Sequence, residues 1–180
     1  YYLKATKKFG RVGVLGHSEG GAIAFILGSR GKVDFIVSMA GPGIKGDTLI
    51  TEQNNALMRL RGMTDDMNVK KFREMLKNQK TNTWYNYFLD YDPAADISAI
   101  HCPVMAINGS MDMQVNATSN LGTISRLLPK SKANMIKEYA GLNHLFQHCT
   151  TGAIDEYGKI EETISPEVLA DIASWIVNVK

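Results

Sequence analysis

Between residues 11 and 139, short β-branched runs bounded by Gly or Pro alternate with helical patterns, and few folds accommodate that alternation. Residues 11–16 (RVGVLG), 33–40 (VDFIVSMA) and 103–108 (PVMAIN) read as buried strands, because continuous apolar runs of this length suit a sheet covered on both faces. Residues 133–139 (ANMIKEY) form a weaker fourth strand pattern, since Lys137 and Glu138 suit only its end. Helical patterns lie between and after these runs. Residues 19–30 are rich in Ala, Ile, Phe and Leu, and residues 117–128 carry Leu121, Ile124, Leu127 and Leu128 at helical spacing. Residues 166–179 open with Ser165 at the N-cap position, Pro166 at the first helical position and Glu167 near the positive helix end. Strands alternating with helices imply right-handed crossovers and a parallel sheet, an α/β fold of about four strands flanked by helices.

One connection is too long for a plain crossover. Between Gly41 and Cys102 lie about 60 residues in which Leu49, Leu57, Leu60, Met63, Met67, Phe72, Met75 and Leu76 are spaced for two or three amphipathic helices. The aromatic stretch 84–91 follows. We read residues 44–91 as a helical cap inserted into a single domain that spans residues 1–180. Met58, Met63, Met67 and Met75, together with Trp84, Tyr85 and Phe88, would line an adaptable apolar chamber there, although packing of cap on core accounts for most of them as well.

Composition narrows the function classes. The 20 Lys and Arg residues against 18 Asp and Glu leave a net charge of +2, with bases clustered only briefly, as at Lys70, Lys71 and Arg73. A nucleic-acid or anionic-membrane surface is therefore not implied. The longest apolar run, residues 22–27, is far shorter than the roughly 20 residues of a membrane-spanning helix. Cys102 and Cys149 form neither a disulfide framework nor a metal-ligand spacing, so no metal or cofactor is expected.

Chemistry concentrates at Gly16-His17-Ser18-Glu19-Gly20-Gly21, a G-x-S-x-G pattern that follows a buried-strand run and opens a helix. That context is the one a nucleophile elbow requires. The turn would hold Ser18 in a strained conformation with its hydroxyl projecting, while strand and helix approach too closely for Cβ atoms at Gly16 and Gly20. The helix start would offer backbone N–H groups to a developing oxyanion. A serine hydroxyl needs an imidazole to take its proton, and the imidazole needs a carboxylate to hold its tautomer. Asp112, after the third strand, and His144, after the fourth, both fall in loops at carboxyl ends of strands, where open α/β sheets carry their sites.

Competing residues weigh less. His17 should point beneath the turn, into packing or a hydrogen bond. His148 is a surface or core histidine, and His101 precedes its strand at the wrong end of the sheet. Asp90, Asp92 and Asp96 read as turn formers and caps, and Asp155 and Glu156 as a solvated acidic surface. The Glu19 side chain could contact substrate, but the helix dipole is the commoner explanation for an acid at that position.

The segments GHSEGG, residues 96–103 leading into PVMAINGSMDMQV, and GLNHLF before a terminal helix together resemble the catalytic part of an α/β-hydrolase. Within that superfamily the chain is similar to the serine esterase, acyl-thioesterase and dienelactone-hydrolase-like branch. The resemblance runs from Arg11 to nearly the end. It implies Ser18 as nucleophile, His144 as general acid and base, Asp112 as the carboxylate that orients it, and the Glu19 backbone N–H as an oxyanion donor. Met113, Leu145, Phe146 and Trp84 are the candidates for substrate contact. The expected activity is cleavage of small-molecule carboxylic esters through an acyl-enzyme. Thioesters, peptide bonds and a non-catalytic binding or assembly role are the alternatives.

In such hydrolases several strands precede the elbow, whereas here the elbow serine is residue 18 and residues 1–8 read as the end of a preceding helix. The start of the chain has neither an initiator Met nor a signal-peptide pattern, so its compartment stays open. The expectation is an N-terminally shortened sheet lacking the loop that supplies a second oxyanion N–H, a loss of ~10²–10³ in rate. Its bared first strand would need a further N-terminal segment or a second copy of the chain to cover it.

Overall fold

The computed structural model describes residues 2–179; Tyr1, the first residue of the segment 1–8 read as the end of a helix, lies outside them. Four strands, β1 (Val14–His17), β2 (Ile36–Met39), β3 (Val104–Gly109) and β4 (Met135–Tyr139), pair in parallel in the order β1-β2-β3-β4. The strands are shorter than their apolar runs because Arg11, Val12 and residues 33–35 serve as approaches to the sheet. There Val14 N–H donates to the Phe35 carbonyl (3.1 Å) and Asp34 N–H to that of Val12 (2.8 Å). A short α1 (Tyr2–Ala5) precedes the sheet, tied to it by Lys4 and Asp34 at 2.6 Å.

Alternation along the strands sorts the core into two layers. Ile36, Val104 and Ala106 face α2 (Glu19–Ser29), α6 (Ala94–Ser98) and α7 (Ala117–Leu127), where Phe25, Ile97, Ile100 and Ile124 are buried with them. The intervening residues Val37, Met39, Met105 and Ile107 face the opposite way, onto Val168 and Ile172 of α8 (Pro166–Asn178) and onto Phe146. β2 and β3 are covered on both faces and lack polar alternation, whereas β1 and β4 keep exposed positions at Leu15, Ile136 and Glu138. Ser165 takes the N-cap position of α8 with Pro166 at its start, but its side chain makes no capping hydrogen bond. β1 and β4 are the outer strands, and Leu15 on β1 is 51% exposed.

Residues between β2 and α6 form three helices: α3 (Gly46–Leu60), α4 (Val69–Leu76) and α5 (Thr83–Asp90). Asn68 and Asn82 cap α4 and α5 by accepting the N–H groups of Lys71 (2.9 Å) and Tyr85 (2.7 Å). Arg73 of α4 fastens all three. It donates to Asp47 of α3 (2.9 and 3.1 Å), to the Leu89 carbonyl (2.9 Å) and to Asp90 of α5 (2.6 Å). Burial raises the Asp47 carboxyl, but hydrogen bonds and charge from Arg73 and Lys45 outweigh it and hold Asp47 below the usual carboxylate range. Arg73→Met is expected to lower stability by about 1–3 kcal/mol, because Asp47 would stay buried without its main partner. A thermal melt reads this as a reduced unfolding temperature, and an unchanged melt would dismiss Arg73 as the fastening of these helices.

Among the described residues, no helix is long and apolar enough to cross a membrane, no group of His, Cys, Asp and Glu is arranged to hold a metal, and both cysteines are free thiols.

Candidate active site

β1 ends at His17, and the chain turns within one residue into α2. Ser18 forms that turn with φ 56° and ψ −122°, a conformation that costs a non-glycine residue of order 1–3 kcal/mol. Hydrogen bonds on both sides hold it: Ser18 N–H donates to the Met39 carbonyl of β2 (2.8 Å), and the Ser18 carbonyl accepts from Gly21 N–H (2.8 Å). A Cβ on Gly16 would stand 2.0 Å from the Gly20 carbonyl oxygen, so strand and helix close on each other only because Gly16 has none. The expectation for Gly20 needs correction. A Cβ there would meet nothing within 4 Å, because the α2 helix turns that side of Gly20 away from the strand.

The other two candidate groups meet in the fold. His144 Nδ1 lies 2.8 Å from Asp112 Oδ2, with the two side chains 5% and 0% exposed. Each is held by its own loop. Asp112 Oδ1 accepts the N–H groups of Gln114 and Val115, both at 2.8 Å, and the Asn108 side chain fastens the same loop through the Val115 carbonyl (2.8 Å). Around His144, the fully buried Asn143 accepts from Leu145 N–H (2.9 Å) and Gln147 N–H (3.0 Å). The loops are stitched together where Ser110 N–H donates to the Tyr139 carbonyl and Met111 N–H to that of Leu142, each at 2.9 Å. The buried carboxylate is thus committed to backbone N–H groups and one imidazole nitrogen.

His17 joins the Ser18 turn to the His144 loop. Its Nε2 lies 2.8 Å from the His144 carbonyl, and the two rings are 4.6 Å apart. A carbonyl only accepts, so His17 carries its proton on Nε2. Burial holds its pKa below the ordinary 6.5, against the partial opposition of that hydrogen bond. The unfolded chain takes up a proton at His17 near pH 6.5, whereas the folded chain does so only at lower pH. Its contribution to stability is therefore full above pH 6.5 and fades as the pH falls through the lowered value. His17→Gln should flatten the dependence of the melting temperature on pH between about 5.5 and 8, a window in which carboxylates stay ionised. An equally steep profile in the variant would assign that dependence to another group.

Ser18 opens onto a cleft of about 230 Å³ bounded by Glu19, Leu49, Trp84, Phe88 and Gln114. Gln53 of α3 separates it from a neighbouring cleft of about 300 Å³, lined by Asn55, Arg59, Met113 and Asn116 as well as by Asp112. Trp84, Tyr85 and Phe88 therefore border the serine, while Met58, Met63, Met67 and Met75 do not line its cleft; Met63 and Met75 are about half exposed instead, at 50% and 46%. Phe146 also needs correction as a substrate contact. It is 1% exposed, packed among Tyr139, Val168 and Ile172, because a positive φ of 61° turns its ring into the core. Leu145 lines neither cleft, and Met113 lines only the second.

The remaining candidates lie elsewhere. His101 is at the opposite end of β3, and His148 is exposed and paired with Glu162 at 2.9 Å. Asp92 forms a turn just before α6 by accepting Ala94 N–H (3.0 Å), while Asp96 is neither turn former nor cap but accepts from Ser29 (2.5 Å) and Tyr91 (2.8 Å). Glu156 accepts the N–H groups of Thr151 (3.0 Å) and Gly152 (2.9 Å), so it orders a loop rather than an acidic surface. Two site neighbours escaped sequence reasoning. Gln114 lines the serine cleft and donates to Tyr157 at 3.1 Å, and Tyr157 comes from a 3-10 turn at Ile154–Lys159 with no pattern to mark it.

The likeness to known proteins agrees with this architecture. Over 97% of its length the chain is 26% identical to Esterase EstD of Thermotoga maritima, spanning 45% of that protein, somewhat under half. Among solved structures it superimposes on a monoacylglycerol lipase of Paleococcus ferrophilus with a TM-score of 0.55 at 16% identity, covering 99% of this chain and 73% of the lipase. A meta-cleavage product hydrolase of Pseudomonas fluorescens IP01 gives the same TM-score of 0.55 at 16% identity, over 99% of this chain and 69% of the other. Residues 1–145 match the family described as BAAT / Acyl-CoA thioester hydrolase C terminal. With its parallel sheet, helical layers and serine turn, the chain is an α/β-hydrolase and belongs to the BAAT / acyl-CoA thioester hydrolase C-terminal family.

Proposed function

We propose that this chain hydrolyses carboxylic esters or thioesters through an acyl-enzyme, with Ser18, His144 and Asp112 as its triad. The observation that carries the proposal is the buried 2.8 Å pairing of His144 Nδ1 with Asp112, on a loop that His17 bonds to beside the strained Ser18 turn. A carboxylate on Nδ1 leaves Nε2 to take a proton. Ser18 Oγ attacks the acyl carbonyl as His144 Nε2 accepts the hydroxyl proton. The Glu19 N–H, at the positive end of α2, donates to the oxyanion. His144 then returns the proton to the leaving oxygen or sulfur, and water releases the acyl group by the same steps in reverse order. Asp112 holds the imidazole in the productive tautomer and offsets the imidazolium charge.

The acyl group occupies the apolar cleft at Ser18, against Leu49, Trp84 and Phe88. The leaving group extends past Gln53 into the polar cleft beside Met113. Family membership favours a thioester as readily as an oxygen ester. A fluorophosphonate probe tests the reaction class directly: the intact folded chain should carry one adduct on Ser18, located by peptide mass spectrometry. Absence of the adduct would move the chain to a binding or assembly role. A panel of p-nitrophenyl esters, acyl-CoA thioesters and short peptides then separates the substrate classes.

A further inference from the structure

Glu19 has a second connection that its place at a helix start does not explain. Trp84 Nε1 donates to Glu19 Oε1 at 2.7 Å, across the mouth of the serine cleft. Trp84 belongs to α5 and Glu19 to α2, and the indole ring stacks on Phe88 with centroids 5.8 Å apart and planes 23° from parallel. The far end of α5 is firmly seated. Gly46 N–H donates to the Tyr91 carbonyl (3.0 Å), a Cβ on Gly46 would strike the Phe88 carbonyl oxygen at 1.9 Å, and Asp90 is held by Arg73. The near end is exposed at Asn82, Thr83 and Trp84, and the indole bond fastens it to the serine turn.

We propose that the Trp84–Glu19 hydrogen bond is a latch that sets the width of the acyl cleft, which makes Trp84 the residue that selects acyl-chain length. The proposal rests on the ester- or thioester-hydrolase reading above. With the latch closed the cleft holds about 230 Å³, below the roughly 300 Å³ at which ligand pockets usually begin, so short chains are favoured. Opening it lets the free end of α5 swing outward on its fixed end and admits longer chains. The same bond also draws the Glu19 carboxylate toward the cap and away from the oxyanion that its own N–H stabilises, where a second negative charge would oppose catalysis. Trp84 is thus a specificity-determining residue, and through Glu19 a positioning one.

The test is a double-mutant cycle on kcat/KM for p-nitrophenyl acetate and octanoate. Trp84→Phe keeps the ring on Phe88 and removes the donor; Glu19→Ala removes the acceptor; Glu19→Gln keeps one. Trp84→Phe and Glu19→Ala should each raise the octanoate-to-acetate ratio about tenfold, with the double variant no further changed and Glu19→Gln closer to the parent than Glu19→Ala. Effects that multiply in the double variant, or that fall equally on both esters, would overturn the latch. Ser18→Ala run alongside keeps the two ideas apart: if it still hydrolyses both esters the catalytic reading fails, and if it is inert while the cycle is additive only the latch fails. A readout independent of turnover uses the fact that the chain has two tryptophans. In a Trp175→Phe background, emission from Trp84 should shift on Glu19→Ala and return toward the parent with Glu19→Gln. Emission untouched by Glu19→Ala would also overturn the latch.

Discussion

Ser18→Ala is expected to reduce turnover of any ester or thioester the chain accepts by at least ~10³-fold, and His144→Ala by a similar factor. In the proposed triad nucleophile and base act as one unit, so the two losses should not multiply: the loss of either would leave only binding and oxyanion stabilisation. Asp112→Asn should fall into the same range without unfolding the protein. An amide there still accepts the N–H groups of Gln114 and Val115 through its oxygen, and its NH₂ then faces His144 Nδ1 as a donor. That inverts the tautomer and puts the ring proton on Nε2, where it must be absent for Ser18 to be deprotonated. Steady-state kinetics on the three variants, with circular dichroism to confirm folding, checks the set. Near-parental activity in any one removes that residue from the triad.

The second large effect concerns the turn itself. Gly16→Ala is expected to prevent the native β1–α2 junction from forming, since a methyl group 2.0 Å from the Gly20 carbonyl oxygen meets backbone rather than a side chain that could move aside. The strand or the helix must shift, and small-to-large changes in packed regions already cost about 1–3 kcal/mol where flexible side chains absorb them. We expect a loss above that range, seen as insoluble protein or a melting temperature lowered by more than about 8 °C. Gly20→Ala is the matched control. It enters open space within α2 and should be neutral or stabilising by up to about 1 kcal/mol, because Ala is the better helix former. Equal effects of the two substitutions would refute the close approach of strand to helix at Gly16.

Much of this protein was legible in its residues. Three glycine- or proline-bounded apolar runs and a weaker fourth became four parallel strands; β2 and β3, rich in Val, Ile and Met, are buried along their whole length, and such a run covered on both faces has no other low-energy home. GHSEGG between a strand and a helix announced the Ser18 turn, because a chain reversal of one residue needs glycine where backbone meets backbone. Side-chain fate was less legible. Phe146 looked like a cleft residue beside His144 and is instead core, since nothing in its neighbours signals the positive φ that turns it inward. The methionines looked like a chamber, yet Met58, Met63, Met67 and Met75 do not line the serine cleft and Met63 and Met75 are about half exposed, because a flexible apolar side chain follows whichever surface the helices present.

By itself, then, the sequence determined the α/β class, the parallel sheet and the loops on which Ser18, Asp112 and His144 would lie, all of which follow from local patterning and chain order. Only the tertiary structure decided the contacts between segments far apart in the chain: the 2.8 Å pairing of Asp112 with His144, the bond from His17 to the His144 carbonyl, and the reach of Trp84 across 65 residues to Glu19. Such contacts depend on where whole elements come to rest against one another, a balance of burial and hydrogen-bond geometry summed over the entire core, which no local run of residues encodes.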